Sequence, residues 1–273
     1  MTLKGGEGRT RGCGNFGLLL LLSLLLPLAS SCGARRAPLE AAQAAWERGN
    51  HRAASARYEE FLEADPRHEE AAAARLRLAM IYQRNLRDYD RAVRHYIQLI
   101  QDHPQSAEAA PARLRLAECY VALGRRREAI AEYEDWLARS PEAPERRRAR
   151  LEIAELYYEL NDLDQALAEY PKVVADAVYD ELSERAYMRI GGLSALRGDY
   201  EAACPAFEAV ANGTLDPDIR RQARFRLADS YARLFQYERA VATLEATEAD
   251  PRAPDYIARR IAAIREEQRQ RSP

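Results

Sequence analysis

The sequence predicts an all-α fold, a right-handed superhelical solenoid of about six helix pairs that ends in a C-terminal capping helix. Three observations lead to this prediction. The phrase ARLRLA begins at Ala74 and again at Ala112, and it returns as ARFRLA at Ala223. Alanines recur at intervals of 37 residues, with one interval of 38, and each is followed four residues later by an aromatic side chain or a leucine. A period of this length is typical of stacked repeats, in which each helix pair buries its apolar face against its neighbours.

The composition fits a globular or solenoid body and gives no reason to expect nucleic acid as a partner. Of the 273 residues, 47% are hydrophobic and 31% are charged, and the formal net charge is -2. A basic run from Arg146 to Arg150 is bordered by acidic residues, so a solvated helix face explains it. We therefore predict protein partners and no nucleic acid.

Residues 1–31 have the features of a lipoprotein-type signal peptide. Lysine and arginine side chains precede an apolar run from Phe16 to Leu28. This run is short for a membrane-spanning helix, which needs about 20 apolar residues, but it suits the core of a signal peptide. Removal of the signal would take these residues out of the folded protein.

The small residues before Cys32 resemble a bacterial lipobox, in which the cysteine receives acyl chains after the signal is removed. Several acyl chains hold a protein firmly on a bilayer. We expect residues 32–36 to form a tether. Because Gly33 rather than aspartate follows the cysteine, the resemblance implies the periplasmic face of the outer membrane. A secreted periplasmic protein cleaved after Ser31 and an uncleaved anchor are the alternatives.

Residues 37–250 carry six predicted repeats, each made of a helix, a short turn and a second helix. The alanines of the second helices are Ala54, Ala92, Ala129, Ala166, Ala203 and Ala240. The residues four positions later are Tyr58, Tyr96, Tyr133, Tyr170, Phe207 and Leu244. The first-helix positions nine residues before each alanine, or ten in the second repeat, are Ala45, Tyr82, Tyr120, Tyr157, Ser194 and Tyr231. We expect the alanines to lie where two helices approach closely, and the aromatic side chains to pack into the next repeat.

Glycines and prolines mark the turns and ends of these helices. Three turns contain Gly49, Gly124 and Gly198, where a left-handed backbone costs little. Three second helices are closed by Pro66, Pro104 and Pro141, because proline cannot continue a helix. Pro171 and Pro205 fall inside second helices, where we expect kinks. A hinge between the fourth and fifth repeats is therefore an alternative to a single rod.

These repeats resemble the tetratricopeptide repeat family. Its pattern is a small residue and an aromatic on the first helix, glycine in the turn, alanine and an aromatic on the second helix, and a closing proline. The resemblance covers about residues 36–250. It implies a non-enzymatic scaffold whose first helices line a concave face that binds extended peptides or partner helices.

Residues 251–273 are predicted to be a capping helix and a tail. Tyr256, Ile257, Ile261 and Ile264 fall at helical spacing, with arginine and glutamate between them. A solenoid needs such a helix to cover its last apolar face. A separate partner-binding helix is the alternative.

In the predicted first helices an apolar row lies beside a mostly polar row. The apolar row is Leu39, Leu76, Leu114, Leu151, Met188 and Phe225. The polar row is Gln43, Met80, Glu118, Glu155, Gly192 and Asp229. We predict a partner-binding groove of Leu76, Met80, Leu114, Glu118, Leu151, Glu155, Met188, Phe225 and Asp229, which would suit apolar or weakly basic peptides. The alternative is that the apolar row packs between repeats, in place of a tryptophan that the family carries in its first helices.

No catalytic or metal-binding pattern accompanies the repeats, so we predict no enzyme, no cofactor and no metal; an enzyme or small-molecule binder is the minor alternative. The four histidines lack ligand spacing and are expected to be solvated. Cys119 and Cys204 lie in non-neighbouring repeats and are expected to be small buried residues rather than a disulfide. We expect Trp46 and Trp136 to be wedges between repeats, with Trp46 alternatively facing a partner.

The junction from His103 to Ala109 is similar to junctions in two kinds of envelope protein. One is the repeat lipoprotein of the outer-membrane β-barrel assembly machinery, and the other is the Tol–Pal-associated periplasmic repeat protein. The lipobox and the length favour the first. The resemblance implies a membrane-tethered periplasmic scaffold that binds protein partners during outer-membrane protein assembly. The alternative is a regulator or adaptor of cell-wall enzymes or of a Tol–Pal-type complex.

Overall fold

The computed structural model of the chain describes residues 26–140, 144–175, 179–248 and 254–271, with side chains described from residue 37 onward. Most of the predicted signal peptide and the closing residue Pro141 lie outside the described residues, as does the side chain of Cys32. Every element of secondary structure in the described ranges is a helix. The chain divides into two compact units, unit 1 up to Ala112 and unit 2 from Arg113.

Unit 1 contains the first two helix pairs. Its helices are α1 (Leu26–Glu47), α2 (His51–Ala64), α3 (Ala71–Met80), a π-helical segment (Ile81–Leu86), α4 (Tyr89–Asp102) and the start of α5 (Ala109–Ala122). Helix α1 packs on α2, and α3 packs on α4. Two second helices are capped at their N-termini by side chains: Asn50 accepts a hydrogen bond from the backbone N–H of Ala53, and Asp88 accepts one from that of Arg91.

Unit 2 contains the rest of α5, its partner α6, three further helix pairs and a last single helix. Its remaining helices are α6 (Arg126–Arg139), α7 (Arg146–Glu159), α8 (Leu163–Val174), α9 (Glu181–Leu196), α10 (Tyr200–Gly213), α11 (Pro217–Arg233), α12 (Tyr237–Glu245) and α13 (Tyr256–Arg271). Each helix from α7 to α12 packs on the next one along the chain. Helices α8 and α10 continue past the prolines inside them, Pro171 and Pro205. Ile264 of α13 is 1% exposed and joins the core beside α12, as a capping helix requires.

The repeat positions named from the sequence form the core. All six second-helix alanines are 0% exposed, which confirms that helices approach each other closely at these points. The residues four positions later are at most 3% exposed. Among the first-helix positions, only Tyr157 is more than marginally exposed. The framework of helix pairs is therefore built by the residues that define the sequence period.

A left-handed residue occurs at the turn of every repeat. Gly49, Gly124 and Gly198 have φ values of 74°, 71° and 79°, as the sequence predicts. In the other three repeats the same conformation is taken by Arg87, Asn161 and Phe235, with φ values of 53°, 59° and 59°. For a side chain other than glycine this conformation costs about 1–2 kcal/mol.

The π-helical segment accounts for the single irregular interval in the repeat. The interval from Ala54 to Ala92 is one residue longer than the other intervals, and the extra residue lies between Tyr82 and Ala92. The segment holds it without moving the framework out of register, since Tyr82 and Ala92 are both buried. It also turns Gln83 inward, where its Oε1 accepts a hydrogen bond of 2.7 Å from the hydroxyl of Tyr96.

Two expectations about individual side chains were wrong. Trp46 is 49% exposed and is not a wedge, because Ala45 holds the inward position and the next residue lies about 100° further round the helix. His95 is not solvated: its ring stacks on Tyr82 with a centroid distance of 5.6 Å. Trp136, at 4% exposure, is buried as expected. Cys119 and Cys204 are buried free thiols, and burial raises the pKa of Cys119 to about 12.

Candidate partner-binding surface

The apolar row on the first helices divides between packing and surface. Leu39 and Leu151 are 4% and 0% exposed, so they belong to the core. The other four members are partly exposed: Leu76, Leu114, Met188 and Phe225. Met188 and Phe225 nevertheless pack against the core of unit 2, and the ring of Phe225 meets that of Tyr256 edge-on at 5.1 Å. The packing interpretation therefore accounts for much of this row.

The acidic members of the polar row form ion pairs with arginines of the same chain. Glu118 pairs with Arg115 at 3.2 Å. Glu155 pairs with Arg189 of the next repeat at 2.8 Å, and Asp229 pairs with Arg260 of α13 at 2.6 Å. Because these carboxylates already have cationic partners, they are poor attractors for a basic peptide.

Two residues of the partner-binding groove that the sequence predicts lie in unit 1. Leu76 and Met80 are on α3 and are both partly exposed. A cavity of about 430 Å³ is present in this unit, but it is lined by other residues, from α2, the π-helical segment and α4. Within it, Tyr82 donates a hydrogen bond of 2.6 Å to Glu59, and Arg91 pairs with Asp88 at 3.2 Å. The charges of this cavity are thus largely matched to one another.

Unit 2 has a cavity of about 330 Å³ that only first helices line. Helix α7 contributes Glu155 and helix α11 contributes Ile219, Gln222 and Arg226. Helix α9 contributes the rest of the lining: Glu184, Arg185, Met188 and Arg189. We call this cavity the groove. It combines two apolar side chains with three guanidinium groups, two carboxylates and one amide, all of them on first helices.

A smaller cavity of about 200 Å³ adjoins the groove, and we call it the side pocket. It is lined by Gly192, Ala195, Tyr200, Phe207, Asp229 and Arg233 among others, and it shares Arg226 with the groove. Apolar surface comes from an alanine and two aromatic rings, while charge comes mainly from two arginines.

The side pocket lies where the polar row lacks a side chain. Gly192 occupies the repeat position that holds Glu155 in the repeat before it and Asp229 in the repeat after it. A Cβ atom at this position would find only Nη1 of Arg226 nearby, at 3.5 Å, so the space is open. The adjacent Gly191 is different, since a Cβ there would come within 2.7 Å of the buried Phe207 ring. One glycine of the pair is needed for packing, and the other leaves a space.

The arginines around these cavities differ in how they are paired. Arg189 binds Glu155 and also lies over the ring of Tyr158 at 4.3 Å. Arg226 lies over the ring of Phe207 at 6.0 Å, a weaker contact. Within the described ranges, neither Arg226 nor Arg233 forms an ion pair with a carboxylate. In the groove, Arg185 and Arg189 both pair with Glu155, at 3.8 and 2.8 Å. The unneutralised positive charge therefore belongs to Arg226 and Arg233, which line the side pocket.

Three of the residues that the sequence nominated for the partner-binding groove line these two cavities. Glu155 and Met188 were predicted and line the groove, and Asp229 lines the side pocket. Leu151 is buried instead, and nothing in the structure brings Leu114, Glu118 or Phe225 into either cavity. The missed residues are chiefly Arg185, Arg189 and Arg226. A signal for two of them existed, because Arg189 and Arg226 stand at the same repeat position as Arg115 in the phrase ARLRLA.

Among the residues with described side chains, no group of three or more histidine, cysteine, aspartate or glutamate residues is arranged to hold a metal ion. No helix in the described ranges combines the length and apolarity that crossing a membrane requires.

Comparison with known proteins identifies the repeat. Models described as tetratricopeptide repeat match residues 39–85, 86–145, 151–218 and 222–249. No match was found among curated proteins.

Crystal structures of repeat proteins have a similar fold. A tetratricopeptide repeat protein from Parabacteroides merdae ATCC 43184 is similar over 88% of this chain and 89% of its own, with 18% identity and a TM-score of 0.52. The MamA protein is similar over 75% of this chain and 97% of its own, with 15% identity and a TM-score of 0.50. Identities this low indicate a shared fold and nothing about partners. Together with the helices described above, they confirm the all-helical repeat architecture.

Proposed function

Because this chain belongs to the tetratricopeptide repeat family, we propose that it is a non-enzymatic scaffold that binds a protein partner through the groove of unit 2. Tetratricopeptide repeats generally bind other proteins or peptides. The observation that carries the proposal is the groove itself, a concavity of about 330 Å³ in which arginines surround apolar side chains contributed by neighbouring repeats. A concavity that offers both apolar and charged side chains can hold the apolar and the charged residues of a peptide segment.

Site-specific photo-crosslinking in cells tests this function. A photoreactive amino acid replaces Gln222, an exposed residue at the edge of the groove. The matched control places it at Glu201, an exposed residue on a second helix, α10. We expect a specific protein adduct from position 222 and none from position 201. The same adducts from both positions, or adducts from neither, would contradict the proposed function.

We propose further that the scaffold is tethered to the periplasmic face of the outer membrane by acylated Cys32. The support is the lipobox-like sequence that ends at this cysteine. Cys32→Ala should abolish labelling by a fatty-acid analogue and release the protein from the membrane fraction. Membrane fractionation that is unchanged in Cys32→Ala would argue for another anchor.

The similarity of the His103–Ala109 junction favours a role in outer-membrane protein assembly. Depletion of the protein in its host bacterium should then lower the amount of folded β-barrel proteins in the outer membrane, measured by heat-modifiable gel mobility. Altered peptidoglycan composition with normal β-barrel levels would instead indicate an adaptor of cell-wall enzymes.

A further inference from the structure

We propose that the groove and side pocket select an acidic partner segment that inserts an apolar side chain at Gly192. This inference rests on the proposed function and adds the chemistry of the partner to it. Three observations carry it: the space left by the glycine, the apolar lining of that space, and the unneutralised arginines at its edge.

The space at Gly192 is specific to the fifth repeat. The fourth and sixth repeats place the carboxylates of Glu155 and Asp229 at the equivalent position. Here a cavity of about 200 Å³ remains, lined by the rings of Tyr200 and Phe207. The methylene groups of a leucine or methionine from a partner would lose water on entering this cavity, at about 25 cal/mol for each Å² of apolar surface buried.

The charges at the edge of the side pocket favour a carboxylate. Asp229, the one acid that lines it, is already paired with Arg260 at 2.6 Å. Arg226 lines both cavities. Its guanidinium carbon lies 6.0 Å from the centre of the Phe207 ring, at the outer limit of a cation–π contact. A partner carboxylate at Arg226 would form charge-assisted hydrogen bonds without displacing an existing ion pair. In the side pocket a basic segment would find no free acid, because Asp229 is paired, and it would be repelled by Arg226 and Arg233. The second acid of the groove, Glu184, lies outside the side pocket.

Gly192→Glu tests both features with one substitution. The new side chain would fill the side pocket and supply Arg226 with a carboxylate from the chain itself. Its fold should be retained, because the added Cβ has ordinary spacing from its nearest neighbour, 3.5 Å. Arg226→Gln removes the charge alone and provides a second variant. The matched control is Arg127→Gln, which removes an exposed arginine from a second helix, α6.

The probe is a fluorescein-labelled synthetic peptide with a central leucine flanked by glutamates, and binding is measured by fluorescence anisotropy with the purified protein. Two comparison peptides carry lysines in place of the glutamates, or serine in place of the leucine. We expect Gly192→Glu and Arg226→Gln each to weaken binding of the acidic leucine peptide about tenfold, which corresponds to about 1.4 kcal/mol. Arg127→Gln should leave the affinity unchanged, and both comparison peptides should bind more weakly.

The inference is overturned if the lysine peptide binds as tightly as the acidic one, or if both variants keep the wild-type affinity. It is also overturned if anionic phosphatidylglycerol vesicles bind in an Arg226-dependent way while the acidic peptide does not. A partner crosslinked from position 222 whose binding is unaffected by Gly192→Glu would leave the scaffold function standing and refute only the acidic chemistry. Circular dichroism of each variant establishes that the helices are retained.

Discussion

The two units share one framework and differ in the chemistry of their surfaces. Unit 1 contains all four histidines of the chain, and the charged groups of its cavity pair with each other. Unit 2 has no histidine, and its side pocket holds two arginines, Arg226 and Arg233, that no carboxylate of the described residues pairs with. In both units the alanines and large side chains of the second helices are buried alike. The comparison teaches that the repeat period fixes the core, whereas function depends on first-helix positions that the period leaves variable.

The largest expected effect is the loss of stability when a buried aromatic ring is removed from one unit or the other. Phe207→Ala removes a ring that is 1% exposed and should lower the free energy of unfolding by about 3–5 kcal/mol. Phe61→Ala, at a fully buried ring of unit 1, should cost a similar amount. Native-state hydrogen exchange should then rise mainly in the unit that carries the substitution, because contacts in repeat proteins are local. An equal rise in both units for either variant would show that they unfold as one.

As the pH is lowered, unit 1 should lose stability before unit 2 does. Burial lowers the pKa of His95 from 6.5 to about 4, with Glu59 opposing the shift and Arg75, Arg94 and Arg91 adding to it. The unfolded chain takes up this proton at about pH 6.5, but the folded chain does so only near pH 4. The contribution of neutral His95 is therefore complete above pH 6.5 and is lost as the pH falls towards 4. Its size is at most about 3 kcal/mol, from 1.36 kcal/mol per pKa unit.

Urea unfolding across this pH range measures the effect. His95→Phe keeps an aromatic ring beside Tyr82 and removes the titrating group, so its stability should fall less steeply with acid than that of the wild type. Equal pH dependence in both proteins would assign the acid sensitivity to other groups. In unit 2 the corresponding group is Asp180, whose pKa is lowered chiefly by a hydrogen bond from Arg147. Its contribution is present at pH values above about 4 and is lost at lower pH.

Replacing each of the two glycines of α9 by alanine should change the stability of the protein in opposite directions. Gly191→Ala would bring a Cβ to within 2.7 Å of the buried Phe207 ring, so the ring must shift, and unit 2 should be destabilised by about 1–3 kcal/mol. Gly192→Ala faces open space and should stabilise the helix by about 0.4–1 kcal/mol. Thermal unfolding of both variants tests the difference. Destabilisation by Gly192→Ala would mean that the side pocket is not open.

The smallest expected loss of stability is that of Glu155→Gln. The carboxylate of Glu155 is 15% exposed, but its partners Arg189 and Arg185 are 40% and 47% exposed. Glutamine keeps the size and a carbonyl acceptor, so the loss should be about 1 kcal/mol. The substitution also frees Arg189 in the groove, and the acidic leucine peptide should bind several times more tightly. Fluorescence anisotropy measures this change, with Glu159→Gln as the control for loss of an exposed carboxylate paired elsewhere, with Arg126. Equal effects of both variants would mean that net charge, rather than the groove, governs binding.

The sequence was sufficient for the framework and insufficient for the surface. Positions such as Ala166 and Tyr170 repeat because every helix pair needs the same packing, so periodicity reveals them. Glu155 and Arg189 pair although they are 34 positions apart, on different helices. No local sequence pattern predicts this pair. The side pocket depends on the absence of a side chain at Gly192, which in a sequence alone looks like a weakened repeat.

Some details were visible in the sequence without being interpretable. The interval of 38 residues between Ala54 and Ala92 showed that one residue was extra, but many places in the second repeat were able to hold it. Likewise, three turns lack glycine, and only the structure shows that Arg87, Asn161 and Phe235 adopt its left-handed conformation there.

The π-helical segment has a consequence for how the gene can change. In an ordinary α-helix, one inserted residue rotates every later side chain by about 100° and would turn a core face towards water. Between Tyr82 and Ala92 the extra residue is accommodated in a widened turn, and both flanking core positions stay buried. A single codon can therefore be gained or lost at this point without a change in the repeat frame on either side. Relatives of this protein should vary in length there, while the other five repeats keep their period.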